Sequence, residues 1–263
     1  MKPSTRWRAR ATPVVALGRS LALALLLARC GGGEVDTWAG KADPLACDDE
    51  SRALSRCLKP RQTPEYYIEQ SQRYFDTLDV SVDPLIHPRY SELSARWEWP
   101  PWLKLTGYGA QMLTETASLV TLRDPSTVPT RDCRAFSEQP FGRCYVVFQY
   151  KEGTCPIYEE FTFNDQGEMT FIEAWTPTPA LMPMDATKDP WGEGPDVKRL
   201  STRIPGLGSP TGRIDPQSPA MEKAAAADKD VADFAVRARD FWGTWFEELK
   251  LNGKNIYARG CGW

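Results

Sequence analysis

The stretch that most limits what this chain can fold into is Cys144–Thr176, CYVVFQYKEGTCPIYEEFTFNDQGEMTFIEAWT. It predicts three consecutive antiparallel strands. Cys144–Tyr150 alternates around Val146 and Phe148 and ends at Glu152-Gly153, a two-residue hairpin turn. Cys155–Phe163 follows and closes at Asp165–Gly167, a three-residue loop with glycine where a left-handed residue is required. Met169–Trp175 is the return strand.

These turns imply a register. The second loop pairs Phe163 with Met169, Phe161 with Phe171, Glu159 with Glu173 and Ile157 with Trp175 on one face. The first turn sets Tyr150 opposite Cys155, Phe148 opposite Ile157 and Val146 opposite Glu159. One face is then rich in aromatic and aliphatic groups and carries two opposed carboxylates. The other face (Tyr145, Val147, Tyr158, Glu160, Thr162, Thr170, Ile172) is mixed, so both faces are expected to be covered at least in part.

Helices flank the meander. Thr63-Pro64-Glu65 is a cap, a first-turn proline and an early acid, opening a helix with Tyr67, Tyr74, Phe75 and Leu78 on one face and a stop near Asp79. Asp83-Pro84 opens a short turn limited by Pro88, and Ser91–Trp99 adds another helical turn. Tyr108–Leu122 has helical spacing at Tyr108, Met112, Leu113, Thr116, Leu119 and Val120, and Asp124-Pro125 ends it. A first strand near Thr130–Ser137 leads through the Gln139–Gly142 turn into the meander.

After Trp175 the chain changes character. Nine of its 22 prolines fall between Pro177 and Pro219, which rules out long regular elements there. Trp191, Leu200, Ile204, Leu207 and Ile214 nevertheless predict that this excursion packs on the domain. Ser218-Pro219 then starts one long helix to about Leu251, with an apolar stripe through Met221, Val231, Phe234, Trp242 and Leu249.

The first 29 residues hold six basic side chains (Lys2, Arg6, Arg8, Arg10, Arg19, Arg29), no acid, and the apolar run Leu21–Ala28. That run is too short to span a bilayer and suits an export signal. Arg29-Cys30-Gly-Gly-Gly33 resembles the end of a bacterial lipoprotein signal, with Cys30 as the lipidated residue, although Arg29 stands where that family has a small residue. Taking the six basic residues from 32 leaves 26 against 35 acids, a net charge near −9. Nucleic acid and anionic membrane surfaces need concentrated positive charge and are not expected partners. Membrane attachment is expected through the lipid alone.

Beyond Cys30 there are six cysteines, Cys47, Cys57, Cys133, Cys144, Cys155 and Cys261, enough for three disulfides in an oxidising compartment. In the register above Cys133, Cys144 and Cys155 share a face, but none sits opposite another. Each then needs a partner from outside the sheet; the competing assignment is Cys47–Cys57 plus a pair within it. With one histidine and no CxxC, a zinc site is not expected. No GxSxG, HExxH or phosphate-binding glycine loop occurs, and no metal or cofactor is predicted.

The order of helices and then about four antiparallel strands is an α+β pattern. Glu160–Trp175, EFTFNDQGEMTFIEAW, resembles the closing hairpin of the nuclear transport factor two-like superfamily: a strand, an Asp/Gly turn, and a last strand ending in an aromatic. By element order the resemblance covers residues 63–176. It implies a cone-shaped domain, with N-terminal helices packed in a curved sheet, shared with ketosteroid isomerases, scytalone dehydratases and polyketide cyclases. The expected organisation is a signal over 1–29, a tether and cysteine loop over 30–62, the cone over 63–176, and the Pro-rich segment plus C-terminal helix over 177–263.

Two functions follow as expectations. One is an exported, lipid-anchored, non-catalytic module of the cell envelope that binds a small hydrophobic molecule or a protein partner, its candidate surface being Trp97, Trp99, Trp102, Phe161, Phe171 and Trp175. The other is a cofactor-independent isomerase, dehydratase or cyclase. In it Glu159 and Glu173, repelling across an apolar face, would share a proton for acid–base work, with His87 oriented by Asp83 as a further base.

Overall fold

The computed structural model describes residues 59–83, 86–99, 107–123, 125–176, 191, 199–207 and 210–240. The expectations for the export signal, Cys30, Cys47, Cys57, Trp102, Cys261, the side chain of Trp99 and the helix beyond Asp240 lie outside them.

The fold is α+β. Helix α1 (Pro64–Asp76) starts where its cap predicts: Tyr66 N donates to Thr63 Oγ1 at 3.3 Å, with Pro64 in the first turn. Its buried face is Tyr67, Gln70, Ser71, Tyr74 and Phe75. Then come strand β1 (Tyr90–Trp99), the two-residue strand β2 (Gly107–Tyr108) and helix α2 (Ala110–Arg123). Strands β3 (Thr127–Ala135), β4 (Gly142–Gln149), β5 (Thr154–Phe163) and β6 (Met169–Trp175) follow. A 3-10 turn (Leu200–Thr202) and helices α3 (Pro219–Ala227) and α4 (Lys229–Asp240) complete the described chain.

The sheet is larger than about four strands and is not wholly antiparallel. Its order is β2-β1-β6-β5-β4-β3, and β1 runs parallel to β6. The segment expected as a helical turn, Ser91–Trp99, is the strand that makes the difference. Ala95 and Trp97 point to one face while Arg96 and Glu98 point to the other, and all four are buried. Charged residues at alternate positions read as solvent-facing, whereas here they are buried against each other.

The last hairpin starts in the expected register and then leaves it. Gly167 occupies the left-handed position, φ 72°, and Phe163 pairs with Met169. Thr170 is then an extra residue on β6, a β-bulge, so that Phe161 pairs with Ile172, Glu160 with Glu173 and Glu159 with Ala174. The Glu159–Glu173 pair does not form: the bulge turns the two onto opposite faces. The first hairpin is also displaced. Its loop is longer than two residues, Tyr150 N donating to Gly153 O, and Phe148 pairs with Cys155, Val146 with Ile157 and Cys144 with Glu159.

The β3–β4 connection overturns the cysteine expectation. Phe136 N bonds Phe141 O and Ala135 pairs with Gly142, which brings Cys133 directly opposite Cys144. The two form a disulfide, with Cα atoms 4.0 Å apart. Cys155 is disulfide-bonded as well, and its partner lies outside the described residues.

Apolar cores cover both faces of the sheet. On one, α1 and α2 pack on Val146, Phe148, Phe161, Phe163 and Ile172. On the other, Ala95, Trp97 and Phe171 meet Leu200, Ile204, Leu207, Ile214, Met221 and Phe234. Leu200, Ile204, Leu207 and Ile214 of the Pro-rich segment are thus buried side chains of the second core, whereas Trp191 is half-buried and packs edge-on to Tyr158. Burying each leucine or isoleucine is worth roughly 1.5–3 kcal/mol, enough to hold residues 199–207 and 210–216 on the sheet with a single 3-10 turn as their regular structure. The C-terminal helix is not continuous. Asp228 is extended (φ −140°, ψ 115°), its Oδ1 accepts from the N–H groups of Asp230 and Val231, and it caps α4.

Candidate functional site

A cavity of about 520 Å³ opens between the end of α1, the turn after it, the start of β1 and one face of α2. Helix α2 contributes Thr114, Ala117, Ser118, Thr121 and Leu122, a set at helical spacing that faces one way. The other wall is Asp76, Thr77, Asp79, Val80 and Val82, and His87 and Tyr90 complete it.

The turn after α1 is pinned by Asp79. Its Oδ1 accepts from Ser81 N (2.9 Å) and Ser81 Oγ (2.6 Å); its Oδ2 accepts from Val128 N (3.0 Å) and Arg131 Nη2 (2.8 Å). Burial works against the charged form, but these bonds prevail and hold the carboxyl below its usual range. Arg131 also reaches Asp76 Oδ1, so one guanidinium ties the helix end to the turn.

Behind Tyr90 lies a buried charge cluster on the helix-covered face. Arg96 donates to Tyr74 OH (2.8 Å), to Glu159 Oε1 (3.0 Å from Nη2) and to Glu98 Oε1. Two carboxylates share one guanidinium, and Glu159 Oε2 has no hydrogen-bond partner among the described residues. Burial raises the Glu159 carboxyl above its usual range, with Arg96 and Tyr74 opposing. Burial also raises the Tyr90 phenol, and the nearby Glu159 adds to it more than Arg96 subtracts.

A second buried cluster occupies the opposite face. Glu160 Oε2 accepts from Arg143 Nε at 3.1 Å and lies 3.1 Å from Arg199 Nε; its Oε1 accepts from Ser201 Oγ at 3.1 Å. Glu173 accepts from Leu200 N (2.6 Å) and Ser201 N (2.8 Å) through its two oxygens, at the start of the 3-10 turn. Two guanidiniums balance two carboxylates, and the result fastens the C-terminal segment to the sheet.

The structure therefore separates the residues that the sequence brings together. Glu159 sits behind the cavity, whereas Glu173 anchors backbone on the far side of the sheet. His87 does line the cavity, but among the described residues no hydrogen bond joins it to Asp83. Among the described residues, the candidate aromatic side chains do not form one surface. Phe161 packs on Tyr74 and Phe75, Trp97 and Phe171 on Phe234, and Trp175 stacks on Tyr158. All four are fully or almost fully buried, and none lines the cavity.

Sequence reasoning missed Asp76, Asp79, Tyr90, Arg96, Glu98 and Arg131. The available signal was the alternation of Ala95 and Trp97 with Arg96 and Glu98, which marks a strand covered on both faces. No protein-family model matches the chain, and no curated protein matches it either.

Proposed function

We propose that the protein is a non-catalytic, small-molecule-binding module of the bacterial cell envelope, exported and lipid-anchored through Cys30. The observation that carries this is the cavity of about 520 Å³ between α1 and α2, within the range of small-ligand sites. Val80, Val82 and Leu122 are exposed large hydrophobic residues on its wall, and they supply the apolar contact that such a ligand needs. The disulfide at Cys133–Cys144 suits an oxidising compartment and supports export. A cone of the nuclear transport factor two-like kind is the proposed fold type. Its support is a capped helix before the sheet and the closing hairpin Glu160–Trp175 after it.

Binding is tested with Nile red, a neutral apolar dye, and with Ser118→Trp. Ser118 is exposed on α2 and opens onto the cavity, so the larger ring fills it. The expected result is saturable dye fluorescence with the parent chain and its loss in the variant; equal binding by both removes the cavity as the site. Anchoring is tested by intact mass of the exported protein. A diacylglyceryl group on Cys30 is expected, and a free amino terminus beyond that residue refutes it.

A further inference from the structure

We propose that the ligand of this cavity is a cation that brings its own N–H donors, a protonated amine on an alkyl or aryl body. The inference rests on the cavity being a binding site. It follows from what the wall offers.

The wall hydroxyls have already used their protons. Thr77 Oγ1 donates to Tyr74 O (2.6 Å), Thr114 Oγ1 to Ala110 O (3.1 Å), Ser118 Oγ to Thr114 O (3.0 Å) and Thr121 Oγ1 to Ala117 O (2.8 Å). A hydroxyl has one proton, so each of the four turns only acceptor lone pairs toward a ligand. Asp76 and Asp79 add acceptors. Among the described lining residues there is no lysine or arginine, and Tyr90 and His87 are the remaining side chains able to donate. A wall of acceptors is satisfied by a ligand rich in donors and leaves a carboxylate- or phosphate-bearing one without partners.

Charge points the same way. Around and behind the cavity stand Asp76, Asp79, Glu98 and Glu159, and the guanidiniums set among them are Arg96 and Arg131. Among the described residues there, carboxylates outnumber guanidiniums by two to one, and the excess remains negative even when Glu159 holds a proton. Within the wall, Asp79 is saturated by its four hydrogen bonds, whereas the bond that Asp76 accepts goes to Oδ1, from Arg131. Asp76 Oδ2 is thus the acceptor for the ammonium head, and Val80, Val82, Ala117 and Leu122 receive the body.

The test is calorimetric titration of the full chain with octylamine, octanol and octanoate at neutral pH, repeated with Asp76→Asn and Ser118→Trp. Octylamine is expected to bind roughly tenfold or more tighter than octanol, since charge-assisted hydrogen bonds are about twice as strong as neutral ones, with octanoate weakest. Asp76→Asn should bring octylamine to within about twofold of octanol while octanol binding, which also reports that the variant is folded, stays unchanged. Equal binding of amine and alcohol, tighter binding of octanoate, or an amine preference that survives Asp76→Asn overturns the amine inference and leaves the cavity reading in place. If none of the three binds, or if Ser118→Trp binds them all as before, the cavity reading fails and the inference falls with it.

Discussion

Glu159 and Glu160 are neighbours in the chain, yet they serve two buried charge clusters on opposite faces of one sheet. Around Glu160 the charges balance, Arg143 and Arg199 against Glu160 and Glu173, and both carboxylates are bonded at both oxygens. Around Glu159, among the described residues, they do not: Arg96 faces two carboxylates, and Glu159 Oε2 has no hydrogen-bond partner. Burial is equally deep in the two cases, so burial does not decide the outcome. What differs is the hydrogen bonding of the carboxylate oxygens: all four of Glu160 and Glu173 accept a bond, and Glu159 Oε2 does not among the described residues. Carboxylates bonded at both oxygens work as a fastener, and the unbonded Glu159 oxygen leaves, among the described residues, an excess of negative charge behind a cavity.

The contrast can be broken most severely at Glu160. Glu160→Gln leaves Arg143 and Arg199 under-compensated in the interior and is expected to cost about 3–5 kcal/mol in urea unfolding. A cost below about 1 kcal/mol would mean that the cluster is not a fastener. Next comes Gly212, which has φ +58° and whose added Cβ would lie 2.3 Å from Thr170 Cγ2. Gly212→Ala should cost about 1–3 kcal/mol. It should also make the segment after Trp175 cleavable by protease before the sheet unfolds; simultaneous loss of both would refute separate fastening.

The smallest effect is expected at Glu159, and it carries a sign. Burial raises this carboxyl in the folded chain, with Arg96 and Tyr74 opposing, so the folded state holds the proton more tightly than the unfolded one. The stability it contributes is full below the unfolded carboxyl range and is lost as pH rises through the raised value. Glu159→Gln should flatten that decline and leave stability at neutral pH within about 1 kcal/mol of the parent, or above it. Thermal unfolding at several pH values reads both; a steep loss at neutral pH would place Glu159 with Glu160 as a fastening residue.

What was legible in the sequence was local. The Thr63 cap, the left-handed Gly167 and the packing of Leu200, Ile204, Leu207 and Ile214 each depend on a few adjacent residues or on apolarity alone. What was not legible depends on counting residues across a connection. The bulge at Thr170, the Phe136–Phe141 loop and the longer Tyr150–Gly153 loop each displace a register, and register determines which side chain meets which. Strand β1 was hidden for a different reason, because Arg96 and Glu98 look solvated until a partner for each is known. The cavity draws its wall from three separate elements, and no single stretch announces it.

The bulge at Thr170 also has a meaning in the currency of inheritance. Its codon is one triplet among 263. A lineage that lost it and kept the turn at Gly167 would close the ladder without moving the rest of β6. Glu173 would still face Glu160 and still hold Leu200 and Ser201, whereas a lineage that kept Thr170 and drew it into the ladder opposite Thr162 would bring Glu173 beside Glu159. A paired acid under the helices and a fastener for the tail are thus alternative endowments of the same glutamate, and whether Thr170 stands inside the ladder or outside it decides between them.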